Sequence, residues 1–176
     1  MRITIKKLCL VAIGIALYVV LSLCLQVPVF ENYYLCLGYV AMMVFCDYFG
    51  PVSGMTVGVL GVALYCLLTN GLRGLPGWAA GNLVIGFVVG FACRLTKKLE
   101  NRFLRYAIVA FAVILSTAVG ILVLKSLVEM ILYAQPMVVR VTKNIYAFVA
   151  DVVVLLVSLP ICAGLRKSME KLTKGA

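Results

Sequence analysis

Apolar residues run along this chain in long blocks, separated by short polar or Gly- and Pro-bearing joints. A helix needs about 20 predominantly apolar residues to cross the hydrocarbon core of a bilayer. Six blocks read as such spans: Leu8 to about Pro28, about Tyr34 to Tyr48, Val52 to about Leu68, Trp78 to Cys93, Tyr106 to Leu124 and onward past Lys125 and Glu129, and about Ile145 to Leu165. The second is short. Alternating ten-residue segments of the barrel type are missing, so strands are not expected. The expected fold is an all-α integral membrane protein, a bundle of six transmembrane helices forming a single domain over residues 1–176.

The joints are equally legible. Gly50-Pro51 breaks the chain between the second and third spans, and residues 69–77 form a loop rich in Gly and Pro. Residues 27–33 form another loop, with aromatic residues suited to an interface or a lid. The basic start, Met1 to Lys7, could open a signal peptide, but the apolar run after it is too long for a signal core.

Charge then fixes the orientation. With the N-terminus inside, Arg2, Lys6, Lys7, Arg94, Lys97, Lys98, Arg102, Arg105, Arg166, Lys167, Lys171 and Lys174 are cytoplasmic, against Arg73, Lys125, Arg140 and Lys143 in the outer half, 12 to 4. Cytoplasmic loops carry the excess of Lys and Arg, so both termini are expected in the cytoplasm, which requires an even number of spans.

Composition agrees and excludes several function classes. The chain is 65% hydrophobic and 12% charged, an excess of apolar residues that no soluble core of this length can hide. Its net charge of +10 sits in loop clusters rather than on a nucleic-acid-binding face, so no nucleic acid partner is expected. The seven cysteines are scattered without a Cys-x-x-Cys pair, and histidine is absent. No metal site, disulfide framework or cofactor is expected, and no catalytic constellation is visible.

Three sets of residues stand out. Small residues recur at helical spacing: Ala12 and Ala16 on the first span, Gly54, Gly58 and Gly61 on the third, and Gly77, Gly81, Gly86 and Gly90 on the fourth. Such faces let helices approach closely in lipid, whether within the bundle or against a partner. Ionisable residues inside the membrane form the second set. Lys125 and Glu129, four apart, can share a face, while Asp151 needs a partner across the bundle, with Lys125, Arg140 or Lys143 available. Asp47, near the cytoplasmic surface, is expected to be solvated.

The third set is the polar and aromatic outer half. It holds Phe30, Glu31, Asn32, Tyr33 and Tyr34, then Tyr65, Asn70 and Arg73, then Trp78 and Asn82, and finally Lys125, Glu129, Tyr133, Arg140, Lys143, Asn144 and Tyr146. Aromatic walls with a few convergent hydrogen-bonding groups suit a pocket for a flat, polar small molecule. An interfacial aromatic belt would give the same residue types, but at both surfaces.

These residues together resemble a family. Ala12-Ile13-Gly14-Ile15-Ala16 is similar to the Ala-x-x-x-Ala motif of the S components of energy-coupling factor (ECF) transporters, the small membrane subunits that capture vitamins for bacterial import. The run from Phe49 to Gly61 resembles the family's Gly-Pro-x-x-Gly-x-x-x-Gly stretch, Pro76-Gly77-Trp78 with Asn82 its fourth helix, and Lys143-Asn144 the start of its sixth. The resemblance spans nearly the whole chain and is nearest to the riboflavin-type subgroup. It departs late in the third helix, where Ala63-Leu64-Tyr65-Cys66 replaces the usual acidic residue.

The resemblance implies a non-catalytic subunit of the bacterial cytoplasmic membrane. It would bind a vitamin-like substrate from outside and associate with a transmembrane coupling subunit and two cytosolic ATPases. Ala12 and Ala16 would form the coupling face, and residues 30–34 the lid. Phe30, Asn32, Tyr34, Trp78, Asn82, Lys125, Glu129, Arg140, Lys143, Asn144 and Asp151 would be the candidate substrate contacts. A self-sufficient secondary transporter is the alternative, but it calls for a coupling-ion site and internal repeats.

Overall fold

The computed structural model describes residues 5–24, 27–30, 33–69 and 71–173. The elements are α1 (Ile5–Cys24), β1 (Val27–Phe30), β2 (Tyr33–Leu35), α2 (Gly38–Phe49), α3 (Pro51–Leu68), α4 (Leu75–Thr96), α5 (Arg102–Thr117), a π-helical stretch (Ala118–Lys125), α6 (Ser126–Tyr133) and α7 (Met137–Thr173). The π stretch joins α5 to α6 in one continuous span, Arg102–Tyr133. Among the described residues, five spans are long and apolar enough to cross a membrane, and α2 is a shorter apolar helix. The chain is thus a helical integral membrane bundle.

Local chemistry sets the boundaries. Gly50 takes φ 86°, a left-handed value open to glycine, and Pro51 starts α3 at a position where its missing N–H costs nothing. Asn101 caps α5, its side chain accepting from the backbone N–H groups of Phe103 at 3.0 Å and Leu104 at 3.4 Å.

Two expectations need correction. The loop over residues 27–33 contains a short antiparallel pair, with Val27 opposite Leu35 and Pro28 opposite Tyr34. Three- and four-residue strands are too brief to show the periodicity by which a strand is read from sequence. The last helix starts at Met137, not Ile145, and runs 37 residues. Arg140, Thr142, Lys143 and Asn144 interrupt the apolar block without interrupting the helix, so Asn144 lies two turns inside it.

Side-chain contacts show that neighbouring spans alternate in direction. Gly14 of α1 faces the Phe45 ring and Gly38 faces Tyr18, so α1 and α2 are antiparallel. Along α3, Gly54, Gly58 and Gly61 sit against Cys46, Met42 and Tyr18 in turn. On α4, a Cβ at Gly86 would lie 2.7 Å from the Met55 Cα, and Gly81 faces Gly120 across the π stretch. Without a hydrophobic force between helices in lipid, this backbone proximity supplies dispersion contact. The glycine stripes of α3 and α4 therefore serve the bundle itself. Ala12 and Ala16 differ: both are exposed on the outward face of α1.

Candidate functional site

Tyr39, wholly buried on α2, organises the centre of the bundle. Its hydroxyl donates to Asn82 Oδ1 at 2.7 Å and accepts from Trp78 Nε1 at 2.9 Å. Asn82 Nδ2 donates to the Gly58 carbonyl at 2.9 Å and to the Tyr18 hydroxyl at 3.2 Å. One amide thus ties α1, α2, α3 and α4 together at a depth where an unpaired polar group would be costly. Asn82 is fully buried and does not line the cavity above it; Trp78, one turn nearer the outer surface, does.

That cavity, of about 770 Å³, opens at the end of the bundle where α3 meets α4 and α6 meets α7. Tyr65, Trp78 and Tyr133 supply aromatic wall, with Trp78 edge-on to Tyr65 at a centroid distance of 5.6 Å. Ser22, Cys36, Cys66 and Thr69 add small polar groups. Its charged residues are Arg73, Lys125, Glu129, Arg140 and Asp151. Lys125, Glu129 and Asp151 are all buried. Lys125 lies close enough to Glu129 and Asp151 to attract both carboxylates, which makes it the candidate cross-bundle partner of Asp151, and Tyr39 lies near Asp151 as well.

The π stretch aims this face. Its widened turns bring Ser126 within reach of the carbonyl five residues back, and Ser126 Oγ donates to Ile121 at 3.4 Å. The same oxygen accepts from Asn144 Nδ2 at 2.9 Å, and Asn144 also donates to Glu129 Oε2 at 3.2 Å. Arg140 approaches that carboxylate oxygen at 3.6 Å. Gly77 makes room: a Cβ there would lie 3.1 Å from the Cγ atoms of both Lys125 and Glu129. At the mouth, the Arg73 and Arg140 guanidinium groups lie 4.7 and 5.1 Å from the Tyr133 ring centroid. Arg140 Nε and Asn144 Oδ1, both buried, have no hydrogen-bond partner among the described residues. Acceptor and donor capacity therefore remains beside the cavity.

Of the residues singled out from the sequence, Trp78, Lys125, Glu129, Arg140 and Asp151 converge on this cavity. Asn144 sits behind it, bonded to Glu129, and Asn82 lies beneath it. Lys143 is exposed and is not among the lining residues; it is turned about 60° round α7 from Arg140, on the side away from Asn144. Phe30 and Tyr34 fall on the two strands; Asn32, with Glu31 and Asn70, lies outside the described residues. Ser22 and Cys36 were missed, although a serine late in an otherwise apolar span was a readable signal.

At the opposite end, Asp47 corrects another expectation. It is buried rather than solvated, and its Oδ1 meets Arg105 Nη2 at 2.6 Å. Among the described residues there is no cluster of His, Cys, Asp and Glu that could hold a metal ion.

A helical membrane bundle with a charged, aromatic-walled cavity at one end is a multi-pass protein with a candidate small-molecule site. Sequence comparison makes the class specific: the family described as ECF-type riboflavin transporter, S component, matches residues 2–167. The chain belongs to that family, and is accordingly a substrate-binding S component.

Proposed function

We propose that this protein captures a flat, heterocyclic micronutrient of the riboflavin type at the outer face of the bacterial cytoplasmic membrane, for uptake driven by partner ATPases. The cavity of about 770 Å³ carries the proposal, being within the size range of small-molecule sites and lined as one. Tyr65, Trp78 and Tyr133 offer stacking and edge contacts to a ring system. Lys125, Glu129, Arg140 and Asp151 offer donors and acceptors to its polar edge. The β1–β2 hairpin, on the loop leading into α2, serves as the lid.

The coupling face is Ala12 and Ala16, whose small side chains are exposed while Gly14 between them packs inward on Phe45. It engages a transmembrane coupling subunit, which carries two cytosolic ATPases. The S component itself hydrolyses nothing on this reading.

The test uses the chain's one tryptophan, Trp78. Detergent-purified protein, stripped of co-purified ligand, is titrated with riboflavin and with a panel of vitamins and nucleobases. Saturable quenching at or below low micromolar concentration is expected for one compound. Unchanged fluorescence and no calorimetric heat across the panel would refute the micronutrient reading. Uptake by cells lacking every coupling subunit would favour a self-sufficient transporter instead.

A further inference from the structure

A second cavity, of about 280 Å³, lies at the cytoplasmic end of the bundle between α2, α4, α5 and α7. Its lining is layered. Asp47, Lys97, Arg105 and Arg166 form the outer layer, and Met43, Cys93, Val109 and Cys162 each lie four residues deeper along the same helix. That separation is just over one helical turn, roughly 6 Å. Three cations face one carboxylate, and that carboxylate already holds Arg105 at 2.6 Å. The Tyr48 hydroxyl is engaged with the Cys162 carbonyl at 2.6 Å, which closes one side.

The layer therefore carries a net positive charge above an apolar floor, and the basic loops beside it orient it toward the cytoplasmic headgroups. Basic pockets between transmembrane helices at that level bind anionic headgroups. We propose that this cavity binds the phosphate group of an anionic phospholipid of the inner leaflet, with Lys97 and Arg166 at the rim and the Asp47–Arg105 pair as its wall. The apolar layer favours a lipid over a soluble phosphate, because it receives the glycerol and first methylenes beneath the headgroup. The proposal needs only the membrane orientation given by the basic loops; it is independent of what the outer cavity holds.

The full chain, purified in neutral detergent, is titrated with phosphatidylglycerol, phosphatidylcholine or inorganic phosphate, and bound lipid and thermal midpoint are read. Phosphatidylglycerol is expected to bind saturably and raise the midpoint, with phosphatidylcholine inert. Lys97→Gln with Arg166→Gln should weaken binding about tenfold or more, since each removes a charge-assisted contact to phosphate. Lys98→Gln with Arg102→Gln removes the same charge from the same membrane face outside the cavity, and should leave binding intact. All four side chains are exposed, so both double variants should fold. Equal binding of both lipids, or equal loss in both double variants, would overturn the site. A shift reproduced in full by inorganic phosphate would overturn the lipid as its source.

Discussion

Trp78 and Tyr39 meet through an indole N–H donated to a phenolic oxygen at 2.9 Å, and that bond joins the aromatic wall of the cavity to the buried polar centre. The same hydroxyl serves Asn82 at 2.7 Å, so the ligand face and the four-helix tie share a single oxygen. Tyr39→Phe should leave Trp78 Nε1 and Asn82 Oδ1 without this partner. A loss of about 1–3 kcal/mol in stability is expected. Thermal unfolding in detergent measures it, and a shifted Trp78 emission maximum would report the lost bond directly.

The buried charges invite a two-step substitution. Lys125→Met leaves Glu129 and Asp151 without their shared cation and should cost about 3 kcal/mol or more. Glu129 keeps Arg140 and Asn144, so adding Asp151→Asn removes the carboxylate left without a cation and should recover much of that stability. Ligand binding should stay lost in the double variant. Recovery of stability and affinity together would mean that the group is structural only.

Arg140 and Lys143 are three residues apart, yet only Arg140 lines the outer cavity. Arg140→Ala should weaken ligand binding about tenfold or more, as expected for removing a charged hydrogen-bonding group. Lys143→Ala should leave the dissociation constant within about twofold, as expected of an exposed side chain away from any special contact. Fluorescence titration of both variants checks the pair.

Glycines on different helices should respond oppositely to the same change. A Cβ at Gly86 meets the Met55 backbone at 2.7 Å, and backbone cannot move aside as a flexible side chain can. Gly86→Ala should therefore destabilise by about 1–3 kcal/mol. Nothing lies within 4 Å of a Cβ at Gly164. Gly164→Ala should be neutral or stabilising by up to about 1 kcal/mol, through helix propensity alone.

The spans were legible because hydropathy reports what faces lipid, and Gly50-Pro51 was legible because only a few residue types make such a break. Phase was less so. Lys125 and Glu129 share a face in any α-helix, but which face depends on the π stretch before them, and no apolar pattern marks it. Trp78 and Asn82 lie one turn apart on α4, and hydropathy does not reveal that one lines a cavity while the other ties four helices. Asp47 looked solvated because its partner, Arg105, is 58 positions away in the chain. The opening turns of α7 were lost to their own polarity, which hides a helix from a reading built on apolar runs.

The wide turns at Ala118–Lys125 have a consequence for how such a protein can diverge. Each residue of an α-helix advances about 100°, so one residue gained or lost turns everything beyond it to a new side. A π turn holds about one residue more than an α turn, so deleting a single residue here can be absorbed by a return to regular winding that keeps Lys125 and Glu129 toward the cavity and Arg105 and Val109 in place below. The stretch behaves like a vernier between two scales. Through it, the span can take up a single-residue change in length while both of its ends keep the faces they present.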